Sequence, residues 1–249
     1  ETYDKLKEVI QGKALPDGLS DIQNRMADIE HHMLHFLDNH DEQRLASEEF
    51  AGTAENGKPL MVVSTTISTA PTMVYFGQEV GEAGNEDGGF GTHSRTSIFD
   101  YVGVPNHQRW MNGGKFDGGQ LSEDEKDLRD FYKRLLNFSI NSPALMGKFQ
   151  DIQNINREST DGFDPGIYAY TRWSDAEKLI IVTNFSWITT SEFELQIPGD
   201  IIQKWNLKDG TYTIKDQLYQ KSSVQLRVEN GEGKVQISIE PSESFIYKL

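Results

Sequence analysis

The chain has 249 residues, a formal net charge of −15 and no cysteine, enough length for one large domain or two ordinary ones. The charge argues against nucleic acid, which is held by Lys and Arg; it suits a soluble protein acting on a neutral substrate, although solubility alone accounts for it. Without cysteine there is no disulfide or thiolate–metal site, no run approaches the ~18 apolar residues of a membrane span, and the polar start Glu1-Thr2-Tyr3-Asp4 has no signal-peptide pattern.

In chain order, Tyr3, Leu6 and Ile10 share one face and predict a helix over 3–11, stopped by Gly12. Ser20-Asp21-Ile22-Gln23 is a capping-box pattern, and Ile22, Met26 and Ile29 extend it to a helix over 20–31. Met33-Leu34-His35-Phe36-Leu37 is a short apolar run of the kind a buried parallel strand shows. It ends in a knot of polar groups: Asp38, Asn39, His40, Asp41, Glu42 and Arg44. Side chains at the carboxyl end of such a strand face the crevice where α/β folds bind ligands. A helix is expected over 42–51. Propensity alone reads part of 58–69 as strand, and 72–76 reads as the next strand. The loop from Val80 to Pro105 is Gly-rich and long enough to be functional or mobile. A second capping box, Ser122 to Glu125, opens a helix with Leu128, Phe131, Tyr132, Leu135 and Leu136 on one face, ending near Pro143. Beyond it, segments near 147–153, 167–173, 178–185, 191–197, 211–216, 224–229, 234–239 and 244–249 read as strands. Asp209-Gly210 and Asn230-Gly231 are turn signals. The pattern predicts an antiparallel β-sandwich of about eight strands.

Phe36-Leu37-Asp38-Asn39-His40-Asp41 resembles the fourth signature region of the α-amylase superfamily of glycoside hydrolases, where Asn-His-Asp ends the seventh strand of a (β/α)8 barrel. Pro71-Thr72-Met73-Val74-Tyr75-Phe76-Gly77-Gln78-Glu79 resembles the eighth strand of that family, with its Gly-Gln-Glu end. The two segments stand in order, and a helix and an all-β tail follow. The resemblance implies a partial (β/α)8 barrel over 1–143, with a helix at 58–69, and a C-terminal β-sandwich over 144–249. A whole barrel takes roughly 250 residues, so the resemblance covers this chain but only the back part of the family's length.

Retaining glycosidases use a nucleophile and an acid/base, two carboxyl groups about 5 Å apart. The resemblance places both upstream of this sequence. It makes Asp41 the third carboxylate, which grips sugar hydroxyls and steadies the transition state, and His40 a hydrogen-bond donor to the same sugar. Asn39 either holds the loop or touches sugar. Gln78 and Glu79 read as partners that orient the site. Arg95, His93 and Trp110 are candidates for outer sugar subsites, with loop anchoring the alternative for Trp110. Trp173, Trp187 and Trp205 offer either a surface sugar patch or core packing. His31, His32, His35 and His40 crowd together, but no carboxylate motif completes a zinc site. Asn85-Glu86-Asp87-Gly88 lacks the spacing of a calcium loop. Hence no metal or cofactor is expected in this chain, while calcium stays open for a longer protein. Asn137 and Asn184 match the glycosylation pattern.

The expected function is therefore the C-terminal part of a retaining α-amylase-like hydrolase of α-1,4-glucans and malto-oligosaccharides, inactive as this chain alone. A non-catalytic carbohydrate-binding or structural module, a transglycosylase or isomerase of the same family, and an unrelated barrel enzyme of sugar metabolism stay open. An incomplete barrel exposes strand edges and apolar faces, so self-association, a partner chain or rearranged helices are expected. Localisation is open, with secretion or the periplasm favoured over the cytoplasm.

Overall fold

The computed structural model describes residues 1–86, 94–96, 104–220 and 223–249. Helix α1 (Thr2–Ile10) buries Leu6, Val9 and Ile10, and α2 (Gly18–Met26) packs beside it through Leu19 and Ile22. The first capping box does not form. Ser20 lies inside α2, and its hydroxyl meets the Tyr168 hydroxyl at 2.9 Å. A 3-10 turn at Glu30–His32 leads into the first apolar run.

The two predicted parallel strands are reduced to extended segments joined by one parallel bridge, His35 with Thr72. The His35 N–H donates to Pro71 O at 2.9 Å and the Met73 N–H to His35 O at 2.8 Å. Parallel pairing is stable where both faces are covered. Here Met33 is 39% and Leu34 50% exposed, so the pairing does not propagate. The helix expected over 42–51 is replaced by successive turns. The Arg44 N–H is taken by Ser94 O and the Leu45 N–H by the Asp38 carboxylate, so tertiary partners outbid helical ones.

Helix α3 (Lys58–Thr66) is buried from Pro59 through Thr66, which explains why its sequence lacks a polar face. Helix α4 (Pro105–Met111), not expected from the sequence, follows the long loop. Helix α5 (Glu123–Asn141) starts with the predicted capping box. Ser122 Oγ accepts from Glu125 N, and Ser122 N donates to the Glu125 carboxylate.

The eight expected strands all form: β1 (Lys148–Asp151), β2 (Ile167–Trp173), β3 (Lys178–Asn184), β4 (Ser191–Ile197), β5 (Gly210–Asp216), β6 (Ser223–Glu229), β7 (Glu232–Ile239) and β8 (Ser244–Lys248). The sandwich prediction needs correction, because they make one continuous antiparallel sheet, ordered β1-β2-β3-β8-β5-β6-β7-β4. At the β5–β8 junction only Lys215–Lys248 and Asp216–Tyr247 pair. The sheet curls there, so that Ala169 and Val182 share a core with Val235 and Ile237. Two short helices, α6 (Gln153–Ser159) and α7 (Gly199–Lys204), close that core, the second through Ile201 and Ile202.

The other face of β2, β3 and β8 carries Tyr168, Tyr170, Leu179, Ile181 and Ile246. These join Leu6, Leu60, Val63, Phe131 and Leu135 of the helices in a second core. Three polar bolts cross the same interface. They are Ser20–Tyr168, Thr66 Oγ1 with the Tyr170 hydroxyl at 2.5 Å, and buried Arg172, whose Nη1 donates to Ile67 O at the end of α3. A cation at a helix C-terminus also complements its dipole.

Candidate functional site

The turn after the first extended segment is shaped by Asn39. Its Oδ1 accepts the backbone N–H groups of Asp41 at 2.7 Å and Glu42 at 2.9 Å. This is the side-chain-to-backbone turn that Asn favours, and it turns the next two side chains outward. His40 and Asp41 are exposed and face each other, His40 Nε2 to Asp41 Oδ2 at 3.2 Å. Arg95 is half-buried, on a short strap between Ser94 and Thr96. Both neighbours bind Arg44: Ser94 O accepts its backbone N–H, and Thr96 Oγ1 accepts its Nε at 2.8 Å.

Beneath the turn lies a buried polar cluster. Asp38 and Arg44 are both fully buried, with Nη1 3.2 Å from Oδ2. The other Asp38 oxygen accepts Leu45 N–H at 2.5 Å. Arg44 Nη1 also donates to Phe76 O at 2.8 Å, and its guanidinium lies over the Tyr75 and Phe76 rings. Burial pushes the Asp38 carboxyl up to about 6, against the pull of Arg44 and the Leu45 amide, and the nearby Glu82 charge adds to the rise. Glu82 is itself buried and raised by desolvation, although it accepts backbone N–H bonds from Gly84, Asn106 and His107. Burial also raises the Tyr75 hydroxyl; Arg44 opposes this, and the charges of Asp38 and Asp41 add to it. Asp41 therefore sits within electrostatic reach of the second segment's end.

Gln78 and Glu79 part company. Gln78 is buried; its Oε1 accepts Tyr75 N–H and its Nε2 donates to the Tyr132 hydroxyl at 3.1 Å, tying the segment end to α5. Glu79 is half-buried, and its charge bears on His107, whose imidazole burial holds below its ordinary pKa. Gly77 makes this arrangement possible. At φ 82° a Cβ there would meet Glu82 Cβ at 3.1 Å and His107 Cβ at 3.3 Å.

Trp110 stacks on His107 with ring centroids 5.6 Å apart, and the Arg129 guanidinium lies over its ring, so it ties α4 to α5. Trp205 is buried and Trp173 packs edge-on against it, whereas Trp187 is half exposed. The His31 and His32 rings meet at a tilt of 44°, and His35 Nδ1 bonds Ser64 O. Among the described residues no three His, Asp or Glu side chains converge on a metal position. His93, Asp87 and Gly88 lie outside the described residues. The Asn184 side chain is fully buried and its amide donates to two backbone carbonyls, so it is not presented for glycosylation. Sequence reasoning placed Asp38 and Arg44 in the polar knot facing a ligand crevice; the structure corrects this, burying both beneath the turn with Glu82 nearby. The signal of this cluster was the burial of charged residues beside a strand end, which no spacing encodes.

This arrangement is the fold of one class of proteins, the C-terminal part of α-amylase-type enzymes. The chain superposes over its whole length on the maltogenic α-amylase AmyB of Thermotoga neapolitana, with a TM-score of 0.63, 18% identity and 49% of that chain covered. An α-amylase of Geobacillus thermoleovorans, solved with acarbose, matches 99% of this chain and 46% of its own, with a TM-score of 0.65 and 16% identity. An AmyP variant in complex with maltotriose matches 99% of this chain and 48% of its own, with a TM-score of 0.66 and 18% identity. The chain thus spans about half the length of these enzymes, consistent with a C-terminal portion. At this identity the likeness is one of fold. No family model matches the sequence, nor does any curated protein.

Proposed function

We propose that this chain is the C-terminal part of a retaining α-amylase-like glycoside hydrolase acting on α-1,4-glucans and malto-oligosaccharides. The observation that carries the reading is the turn itself. Two extended segments paired in parallel end side by side, and Asn39 fixes the turn that presents His40 and Asp41 together. The solved neighbours were crystallised with maltotriose or acarbose in two cases, which supports an oligosaccharide as the ligand here. In this reading Asp41 accepts hydrogen bonds from two sugar hydroxyls and its charge favours the oxocarbenium-like transition state. His40 donates to the same sugar. Asn39 holds the backbone, Gln78 and Glu79 fix the neighbouring segment end, and Arg95 reaches sugar from the strap.

Cleavage itself needs two further carboxyl groups about 5 Å apart astride the bond. Asp38 and Glu82 are buried and engaged by backbone amides, so they do not supply that pair at the surface. The chain alone is expected to bind sugar weakly and to release none. The test is a two-dimensional NMR titration with maltotriose and, as control, cellotriose. Shifts at residues 39–42, seen with maltotriose and removed by Asp41→Asn, are the expected result. No shift at residues 39–42 at millimolar sugar, or shifts there that survive Asp41→Asn, overturn the reading. Reducing-sugar release from soluble starch that Asp41→Asn abolishes would show that the catalytic pair lies within this chain.

A further inference from the structure

The turn from β3 to β4 is built with more care than a surface connection needs. Asn184, fully buried, donates through Nδ2 to Thr189 O at 2.8 Å and Glu240 O at 3.0 Å, while its Oδ1 accepts Ser186 N–H at 2.9 Å. Ser186 Oγ accepts Thr189 N–H at 3.0 Å, and Ser186 O accepts Ser242 N–H at 2.9 Å. A turn clamped at both ends has a fixed shape, yet its tip is apolar. Trp187 is 50% and Ile188 80% exposed. Trp187 is a ridge between two clefts. One, of about 800 Å³, is lined by Asn56, Tyr219, Gln236, Ser238 and Glu240 among others. The second, of about 570 Å³, is mainly apolar and includes Leu15, Pro165 and Ile188.

We propose that the Trp187 ridge is a binding platform for a neutral glucan chain, separate from the Asn39–Asp41 turn; the α-linkage of that chain rests on the function proposed above. An exposed indole held rigidly offers a flat apolar face to the C–H face of a pyranose at little entropic cost. The larger cleft has the volume of ligand sites and is lined by amides and hydroxyls. Its carboxylates are already engaged. Asp216 accepts the N–H groups of Leu218, Tyr219 and Ile246; Glu240 accepts the Thr190 hydroxyl; Glu243 accepts Glu240 N–H; Glu55 pairs with Lys58. They keep lone pairs for sugar hydroxyls. The net charge of −15 disfavours anionic ligands. A protein partner needs about 800 Å² on each side, more than a two-residue tip between polar-rimmed clefts provides.

The test is native gel electrophoresis of this chain in gels containing soluble starch, glycogen or a mixed-linkage β-glucan. Starch and glycogen should retard the protein. Trp187→Ala should weaken that apparent affinity about tenfold while leaving the maltotriose shifts at residues 39–42 in place, and Trp187→Tyr should largely keep the affinity, with circular dichroism confirming folded variants. No retardation, or retardation that survives Trp187→Ala, overturns the platform. Loss with Asp41→Asn but not with Trp187→Ala also overturns it, while upholding the strand-end turn as the binding site. Equal retardation by the β-glucan overturns the α-glucan assignment of the ridge.

Discussion

The sharpest quantitative consequence concerns Asp38. In the folded protein its carboxyl titrates near 6, against 3.8 in the unfolded chain, because no water reaches it and because Glu82 lies close by. The folded state therefore holds the Asp38 proton in a pH range where the unfolded state has lost it. The stability from this group is fully present below pH 3.8 and is lost as pH rises through about 6, after which it stays level. At 1.36 kcal/mol per pH unit the whole loss is about 3 kcal/mol, of which about 2 kcal/mol falls between pH 4 and 7, since the unfolded carboxyl is already largely ionised at pH 4. Other groups titrate in the same window. Glu82 and Asp151, also raised by burial, add to the slope, whereas His35 and His107, lowered by burial, oppose it. A difference measurement removes Asp151, His35 and His107 and leaves Asp38 with its mutual interaction with Glu82. Urea unfolding of the wild type and of Asp38→Asn at several values from pH 4 to 7 gives two stability curves. Their difference should move by about 2 kcal/mol in favour of Asp38→Asn as pH rises. A constant offset arises because Asn leaves Arg44 without a charged partner, but an offset does not change with pH. A flat difference, or one with the opposite slope, would refute the claim that desolvation outweighs the Arg44 attraction at this site.

Asn39→Ala removes the acceptor of two backbone N–H groups, and should cost about 1–2 kcal/mol in urea unfolding and abolish the maltotriose shifts at residues 40–42. Gly77→Ala forces a Cβ against Glu82 and His107 in a left-handed conformation; a loss above about 1 kcal/mol is expected, with the largest amide shifts around residues 82 and 107. Leu34→Asp places a charge at an exposed apolar position close in sequence to exposed Ile29 and Met33. If these side chains drive self-association, sedimentation velocity should show less dimer for the variant than for the wild type.

The strands of the sheet were legible in the sequence because their periods of two survive into the fold. In β7, Val235, Ile237 and Ile239 are buried while Lys234, Gln236 and Ser238 are exposed. What periodicity does not carry is which strands become neighbours. The curl at the β5–β8 junction depends on two residue pairs and on side chains from both ends of the sheet meeting in one core, so two sheets were expected where one bends. The loss of the 42–51 helix has a similar cause. Its first amides are claimed by Asp38 and by Ser94, which is remote in sequence. At the candidate site the residue types and their order were readable, as was the turn-holding alternative for Asn39. The joining of Asp38 and Arg44 to Glu82 was not, since Glu82 comes from a segment remote in sequence.

The same geometry says how the turn is held in place. The sequence divides near Pro143 into helical and β-rich grammar, but the packing does not stop there. Strands β2, β3 and β8 are covered on both faces, one by their own curled sheet and one by α1, α3 and α5. Tyr170 bonds Thr66 in α3, and Ser64, two residues earlier, supplies through its carbonyl the acceptor for His35 Nδ1 and Thr72 Oγ1. Those two residues form the parallel bridge that sets both segment ends. The chain of contacts from sheet to α3 to bridge to turn is short and mostly buried. The sheet therefore serves as the rigid backing of the His40–Asp41 turn. Loosening it, for instance by Tyr170→Phe, should act on the turn through α3, without any direct contact between the two.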